Sequence, residues 1–466
     1  MVLLFLFSYK FIDNDFLCPL NLYLLFSIVS VGALLLIYSE WKVNEYGGKA
    51  ATVYLTGSLC FLVGCCIARL FSQRQIQKKK QQVVAIFTNA RIDIGMFKLC
   101  VVLLTGAIAL YGTYSYLMQV SGYSVLSVGS IGQAIQKYRD MVSQGLLSGD
   151  EAKSSLWRLF SYLLYAFSYC TTFVFIKNLV NRQFRAKDLL LLIPFVLRCT
   201  ECLLQSNRGG IIQLFFAAII SWFISTKFRS GWRKKVNAKV VKIGLRVAVV
   251  LIPLFFGSLI LMGRYDSLKG LDIKNYSLTY LSGGVRNLDL YMKDPGPGPE
   301  TFGEETFVTL HTNLYISYGI GKNIVRFQEF RDVDGRNTGN IYTAFRRFYR
   351  DFGFLGICIL PLLQGILISM LYYRIVRNPR NDKLMFKEVL YCLLAYTTIY
   401  LVLDDLFYSS WFSITGIKML IIAYAAYFFL FGISIDRRGK LYMEFGPLRL
   451  VRREHETECN DGGETA

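Results

Sequence analysis

Runs of about twenty predominantly apolar residues recur along almost the whole 466-residue chain. Each is long enough to cross a hydrocarbon core about 30 Å thick. In that medium no water satisfies backbone N–H and C=O groups, so such runs must form helices. The sequence therefore predicts an all-α fold, a polytopic integral membrane helical bundle of about 10–12 transmembrane helices. Ten runs are read at 20–38, 50–71, 95–118, 156–176, 188–204, 209–226, 243–262, 352–373, 389–403 and 411–432. Residues 1–9 are apolar but too short to span as a straight helix, and they lack the basic start and cleavage site of a secretory signal. They fit a truncated eleventh span or an interfacial anchor.

Lys and Arg in short loops resist translocation and so set orientation. One set of alternate loops collects Arg74, Lys78, Lys79, Lys80 and Arg91, then Lys177, Arg182, Arg185 and Lys187. It continues with the bases from Lys227 to Lys242, those from Arg374 to Lys387, and Arg437, Arg438 and Lys440. These loops are assigned to the cytoplasm. The opposite face receives a smaller loop at 119–155, the Gln205-Ser206-Asn207 turn, the Asp404-Asp405 turn and a polar, arginine-rich insert at 263–350. The chain thus divides into N-terminal spans (1–262), a large extracytoplasmic loop (263–350), C-terminal spans (351–432) and a cytoplasmic tail (433–466). Beyond Arg453 the tail is largely acidic and polar, the composition of a disordered segment.

The formal net charge of +20 would suggest nucleic acid in a soluble protein, but here most of the excess is a topology signal, and no nucleic-acid partner is expected. The cytoplasmic bases suit anionic lipid headgroups, each contributing about 1 kcal/mol near the surface. All eleven cysteines fall in predicted spans or on the cytoplasmic side, so the outer loops must fold without disulfides. With only His311 and His455 present, and no GxxxxGK[ST] or HExxH motif in the outer loops, neither a metal nor a nucleotide cofactor is expected.

Several residues have chemistry to offer on the outer face. Arg208, in Ser206-Asn207-Arg208-Gly209-Gly210, sits where two helices must form a tight hairpin. A helix start with exposed amides and an arginine suits phosphate, while the glycines equally suit close packing and the arginine equally suits snorkelling. The insert opens on Gly263-Arg264-Tyr265-Asp266, carries Arg286, Arg326, Arg331 and Arg336, and closes on Asn340-Ile341-Tyr342-Thr343-Ala344-Phe345-Arg346-Arg347-Phe348-Tyr349-Arg350-Asp351-Phe352-Gly353. Tyr342, Arg346 and Tyr349, or Thr343, Arg346 and Arg350, would share a helical face. That pattern serves sugar stacking beside a phosphate clamp, or an interfacial anchoring belt. His311 can move a proton near neutral pH or serve as a packed histidine beside Phe307, Leu314 and Tyr315. Residues 295–299, alternating Pro and Gly, cannot be helix and divide the insert. The Asp404-Asp405 pair fits acid–base chemistry, or more simply a solvated turn.

On these residues the chain resembles the Wzy-type polymerases, also called O-antigen or oligosaccharide repeat-unit polymerases. The likeness covers most of the length: the span count, the smaller and larger outer loops and the basic tail. Its most specific pieces are Ser206 to Gly210 and the segment from Asn340 to Gly353, which is similar to the family's Thr, Arg and aromatic pair before Asp-Phe-Gly, with Arg347 where proline is common. The resemblance implies a metal-independent glycosyltransferase of the bacterial inner membrane, its large loop periplasmic or extracellular. It would polymerise undecaprenyl-pyrophosphate-linked oligosaccharide, moving the growing glycan onto the non-reducing end of a new repeat unit. A flippase and a chain-length regulator of the same pathway would be its partners. Carried over, Arg208, Arg264 and Arg346 would hold pyrophosphate, with Arg286 and Arg347 as further candidates. Tyr342, Thr343 and Tyr349 would contact sugar, and His311 or Asp351 would act as general base. The alternatives are an O-antigen ligase of the same topology, a lipid-linked oligosaccharide flippase or transporter, and a scaffold of an envelope assembly complex. Transporters carry repeated halves and charged midplane helices; here polar residues gather on one face instead.

Overall fold

The computed structural model describes residues 1–11, 15–82, 91–143, 154–229, 273–322, 324, 328–377, 384–435, 441–445 and 448–451. Among them the chain is an all-α, multi-pass membrane bundle. Seven helices are long and apolar enough to span: Pro19–Leu36, Gly48–Ser72, Met96–Val120, Ser155–Val180, Arg208–Arg229, Ala344–Arg377 and Ile414–Gly432. In chain order the described helices are α1 (Val2–Phe11), α2 (Pro19–Leu36), α3 (Gly48–Gln82), α4 (Met96–Val120), α5 (Ile131–Ser143), α6 (Ser155–Val180) and α7 (Ile193–Leu204). They continue with α8 (Arg208–Arg229), α9 (Ile273–Lys293), α10 (Val308–Tyr318), α11 (Ala344–Arg377), α12 (Phe386–Leu394), α13 (Tyr396–Tyr400) and α14 (Ile414–Tyr427).

Three of the expected spans differ in form, and the one expected at 243–262 lies outside the described residues. The run at 188–204 divides into a tight turn, Ala186–Leu192, and the short α7, because Pro194 fixes a new helix start. The run at 389–403 is α12 and α13 in series, ending at Tyr400 before an irregular passage that re-forms as α14. The span expected from residue 352 is the second arm of α11, whose backbone reverses at Gly353 (φ 60°, ψ −146°). That conformation is open to glycine alone among ordinary residues.

The reversal makes residues 344–352 a short re-entrant helix. Phe345 packs on Gly57 and Tyr349 on Lys49, so this arm runs against α3. Beyond the reversal Cys358 lies beside Cys60 and Ser369 beside Cys65, so the second arm runs with α3. A Cβ on Gly356 would stand 2.4 Å from the Phe348 carbonyl oxygen, which measures how closely the arms approach. Gly64 and Gly365 bring the long arm equally close to the α3 backbone, each being within 2.4 Å of a facing carbonyl oxygen if given a Cβ. Irregular backbone at such depth persists only where protein buries it.

The two ends of the bundle differ in their ties. At one end Arg91 pairs with Asp188 (2.5 Å), Asn178 bonds the Ile92 backbone, Arg229 donates to the Val180 carbonyl and Lys387 to the Arg374 carbonyl. These are the basic loops assigned to the cytoplasm. At the other end Gly47 N–H donates to Asp289 (2.7 Å) and Tyr46 to the Val285 carbonyl, fixing α9 across the start of α3.

Residues 282–289 of α9 are buried, so this part of the insert belongs to the bundle and is not a free outer layer. Gly283 and Gly284 let the helix meet the Thr338 and Val402 carbonyls. Asn287 donates to the carbonyls of Thr338, Gly339 and Ile341. The segment so held is a hairpin, β1 (Arg331–Val333) and β2 (Arg336–Gly339). Its turn, Asp334-Gly335, has positive φ at both residues, the geometry that Asp-Gly favours. A three-stranded antiparallel sheet, β3 (Ile433–Ile435), β4 (Leu441–Phe445) and β5 (Leu448–Val451), follows α14.

Candidate functional site

The re-entrant arm of α11 brings Arg346, Arg347 and Arg350 to the end of the bundle away from the basic loops. Arg346 is only 3% exposed, yet its guanidinium is doubly paired, to Glu305 at 2.5 Å and Glu329 at 2.8 Å. The rings of Tyr291 and Tyr342 both lie 4.7 Å from it. Arginine suits this position because its planar fork reaches two carboxylates while its faces stack on aromatics. Arg347 bonds Asp404 at 2.7 Å and the Glu305 carbonyl at 3.1 Å. Arg350 approaches Glu305 at 3.4 Å and Glu304 at 3.6 Å, while Arg331 joins Asp294 at 3.0 Å and Glu329 at 3.2 Å.

Four guanidiniums therefore face Asp294, Glu304, Glu305, Glu329 and Asp404, and their charge is already compensated. Burial tends to raise the Glu329 carboxyl, but Arg346 and Arg331 outweigh it and hold the group below its ordinary range. Any phosphate binding here must exchange with a carboxylate. That exchange is feasible at Glu329, which is 41% exposed, and harder at Glu305, which is 16% exposed. Thr343 Oγ1 and Arg346 Nε are buried without a hydrogen-bond partner among the described residues, so the cluster holds polar capacity that its own side chains do not use.

The remaining sequence candidates separate. Tyr342 is buried; its hydroxyl donates to the Glu329 carbonyl and accepts from Arg331 Nε, so its ring supports Arg346. Thr343 is buried with its N–H on the Gly284 carbonyl (3.3 Å), and Tyr349 is half-buried under Lys49. The Asp351 carboxylate accepts from the backbone N–H groups of Glu305 (3.0 Å) and Thr306 (2.6 Å), anchoring the loop that supplies Glu305. His311, on α10, has Nε2 3.0 Å from the Phe302 carbonyl. Arg286 is 1% exposed and lies on Asp289, the residue that also holds Gly47. Arg264 and Arg326 lie outside the described residues.

Arg208 opens α8, and its Nη1 donates to Tyr276 at 3.1 Å. The hairpin is built as its residues require: Ser206 takes a left-handed conformation (φ 54°), and Asn207 Oδ1 accepts from Gly210 N–H, capping α8. Arg208 and Arg346 contact opposite ends of one helix, through Tyr276 and Tyr291 of α9. At 1.5 Å per residue those tyrosines stand about 22 Å apart along the axis.

Reading the chain alone missed the acidic half of the cluster. Asp404-Asp405 is not a solvated turn: Asp405 is 1% exposed and accepts from the N–H groups of Phe407, Tyr408 and Ser409, while Asp404 holds Arg347. Burial pushes the Asp405 carboxyl up to about 7, with Arg347 and these N–H groups restraining the rise. The signal was present in outer-loop acids roughly matching the arginines in number, but pairing across 17 to 57 positions has no local mark. Comparison with family models, curated proteins and solved structures finds no match.

Proposed function

We propose that the protein is a polymerase of lipid-linked oligosaccharide at the outer face of a bacterial inner membrane, in which a glycan on polyprenyl pyrophosphate is transferred to the sugar end of another. The observation that carries this reading is the placement of two arginine sites at opposite ends of α9. The Arg346 site takes the donor's pyrophosphate, the leaving group, whose developing charge the paired guanidiniums stabilise. The Arg208 site takes the acceptor's pyrophosphate. In such a reaction the acceptor's reacting hydroxyl is one repeat unit away from its own lipid, so two phosphate sites separated by the length of a short oligosaccharide are what the chemistry requires.

Exchange of Glu329 for a phosphate oxygen frees a carboxylate beside the reacting centre, where it serves as general base for the acceptor hydroxyl more directly than Asp351 or His311, both engaged by loop backbone. The bond to pyrophosphate breaks as the new glycosidic bond forms, and the hydroxyl proton passes to the carboxylate. Pyrophosphate is already a good leaving group, so the step asks for orientation and charge stabilisation only.

The test is deletion of the gene and complementation with wild type, Arg346→Ala, Arg208→Ala or Glu329→Gln, followed by gel analysis of surface polysaccharide beside lipid-linked intermediates. Collapse of a ladder to single repeat units, restored only by wild type, is the expected result. Retention of long lipid-linked polymer with none ligated would identify a ligase; units trapped on the cytoplasmic leaflet would identify a flippase.

A further inference from the structure

The segment that brings Glu304 and Glu305 to the arginines runs on into α10, and much of what it exposes is apolar. Phe302 is 80% exposed. Tyr315, Ile316 and Tyr318 are exposed on the last turn of α10, and so is Ile320, just past the left-handed Gly319 (φ 66°). Large apolar side chains gathered on one segment mark an interaction surface, unlike the single ones scattered over any protein.

Contacts on both sides fix the height of this segment. Asn313 Oδ1 accepts from the Thr415 N–H (3.0 Å) in the first turn of α14, so α10 lies level with the point where α14 enters the membrane. Phe302 packs edge-on against Phe352 (ring centroids 5.0 Å apart), beside the Gly353 reversal from which the spanning arm of α11 descends. Phe307 meets Tyr408, and Tyr408 meets Phe412, which is exposed just before α14 (centroids 6.2 and 5.0 Å apart). Below these points the outward surfaces of both spans begin, with Phe354 and Leu355 exposed on α11 and Ile417 on α14. The apolar side of the segment is therefore continuous with the surface that hydrocarbon covers.

We infer that Phe302 and the last turn of α10 are seated in the outer leaflet, so that this part of the insert lies within the bilayer interface. Its partner is the headgroup and upper acyl region of the membrane. Tyrosine suits that level, since its ring is apolar and its hydroxyl reaches water. Lys322, the base that follows, is paired with Glu300, so the seating is apolar and not electrostatic. Glu304 and Glu305 follow Phe302 by two and three positions. Seating that ring therefore holds both carboxylates, with Arg346 and Arg350, at the height where the phosphates of membrane lipids lie.

The test places a benzophenone amino acid at Tyr318 or at Ile320 in the full chain, reconstituted in nanodiscs of phosphatidylethanolamine and phosphatidylglycerol. Irradiation joins the ketone carbon to a neighbouring aliphatic carbon, the hydrogen passing to the oxygen, and intact mass spectrometry reads what was captured. The same label at Ile421, exposed on the spanning α14, shows what capture from the bilayer looks like. Seating in the leaflet predicts the added mass of one phospholipid at Tyr318 and Ile320 as well as at Ile421. Ile316→Asp puts a charge into the seated turn, and should lower capture at Tyr318 while leaving that at Ile421 unchanged. Capture at Ile421 with none at Tyr318 or Ile320 overturns the inference. So does capture at Tyr318 that Ile316→Asp leaves unchanged, or an adduct of twice the chain mass, which would make the turn a contact between copies. The readout requires no polysaccharide, so its outcome is separate from that of the polymerase reading.

Discussion

Arg346 and Arg208 were equivalent as sequence features, each an arginine beside glycine or aromatic residues at an outer helix end, but the fold treats them in opposite ways. Arg346 is buried on a re-entrant helix, paired to two carboxylates and stacked on two tyrosines. Arg208 opens a regular spanning helix and meets Tyr276 at the rim. A buried arginine paired to two carboxylates is part of what the site stands on, and removing it takes away their shared counter-charge. An arginine at a rim can be lost with little structural consequence. The two sites therefore separate stability from function.

The largest expected effect tests that separation directly. Arg346→Ala removes the cation shared by Glu305 and Glu329 and leaves them only their longer contacts to Arg350 and Arg331, a loss of about 3–5 kcal/mol for breaking a buried pair, and it abolishes polymer. Arg208→Ala removes the hydrogen bond to Tyr276, an interaction of about 1 kcal/mol, and should abolish polymer at a smaller loss of stability than Arg346→Ala. Thermal unfolding in detergent beside the polysaccharide ladder measures both. If Arg208→Ala unfolds as readily as Arg346→Ala, the contrast fails. Arg346→Lys should rescue little, since an ammonium reaches one carboxylate where the fork reaches two.

A second measurement probes how far the buried region depends on charge. The Asp405 carboxyl titrates at about 7 in the folded protein and near 3.9 unfolded, so the folded state holds its proton more tightly. The contribution of this group to stability is therefore greatest below about pH 4 and is lost as pH rises through about 7, by on the order of a few kcal/mol. Wild type should gain melting temperature relative to Asp405→Asn between pH 8 and pH 5. Parallel profiles for the two proteins would show that the carboxyl is not held in the buried state described. Arg208→Ala, which touches none of the N–H groups that hold Asp405, should leave the pH profile unaltered.

The spans were legible because hydropathy is local: α2, α3, α4, α6 and α8 begin and end within a few residues of where apolar runs do, apart from the longer tail of α3. The arginines were legible because their type and position mark them. Their partners were not, because Glu305, Glu329 and Asp404 are joined to Arg346 and Arg347 only by the fold. The reversal at Gly353 was hidden for a different reason. The residues on both sides have a continuous helical pattern, and only the positive φ of one glycine separates a straight span from two arms. Asp334-Gly335 was a hairpin signal that a search for membrane spans passed over.

That reversal supplies the next test. Gly353→Ala forces a Cβ into a backbone region that costs about 1–3 kcal/mol, although the added methyl itself meets no neighbour within 4 Å. The protein should unfold at lower temperature and lose polymer through displacement of Arg346 and Arg347, with Arg208 untouched. Normal polymer from Gly353→Ala would mean that the re-entrant arm does not need its turn to present the arginines.

The smallest effect belongs to the hairpin, where two adjacent glycines have unequal work. A Cβ on Gly210 would lie 2.7 Å from Cys202 Sγ, whereas one on Gly209 meets Asn207 and Tyr400 no closer than 3.4 Å. Gly210→Ala should therefore lower stability by about 1 kcal/mol, the low end of overpacking costs, and Gly209→Ala should be neutral or slightly stabilising because alanine favours helix. Cys202→Ala removes the obstructing sulfur, so the double variant Gly210→Ala with Cys202→Ala should recover part of the loss. Polymer should persist in all three proteins, since the contact lies between α7 and α8 and leaves the Arg208 guanidinium on Tyr276. Loss of polymer in Gly210→Ala at normal stability, by contrast, would show that the backbone of this turn approaches the substrate, making the glycine itself part of the rim site and narrowing the difference between the two arginine regions.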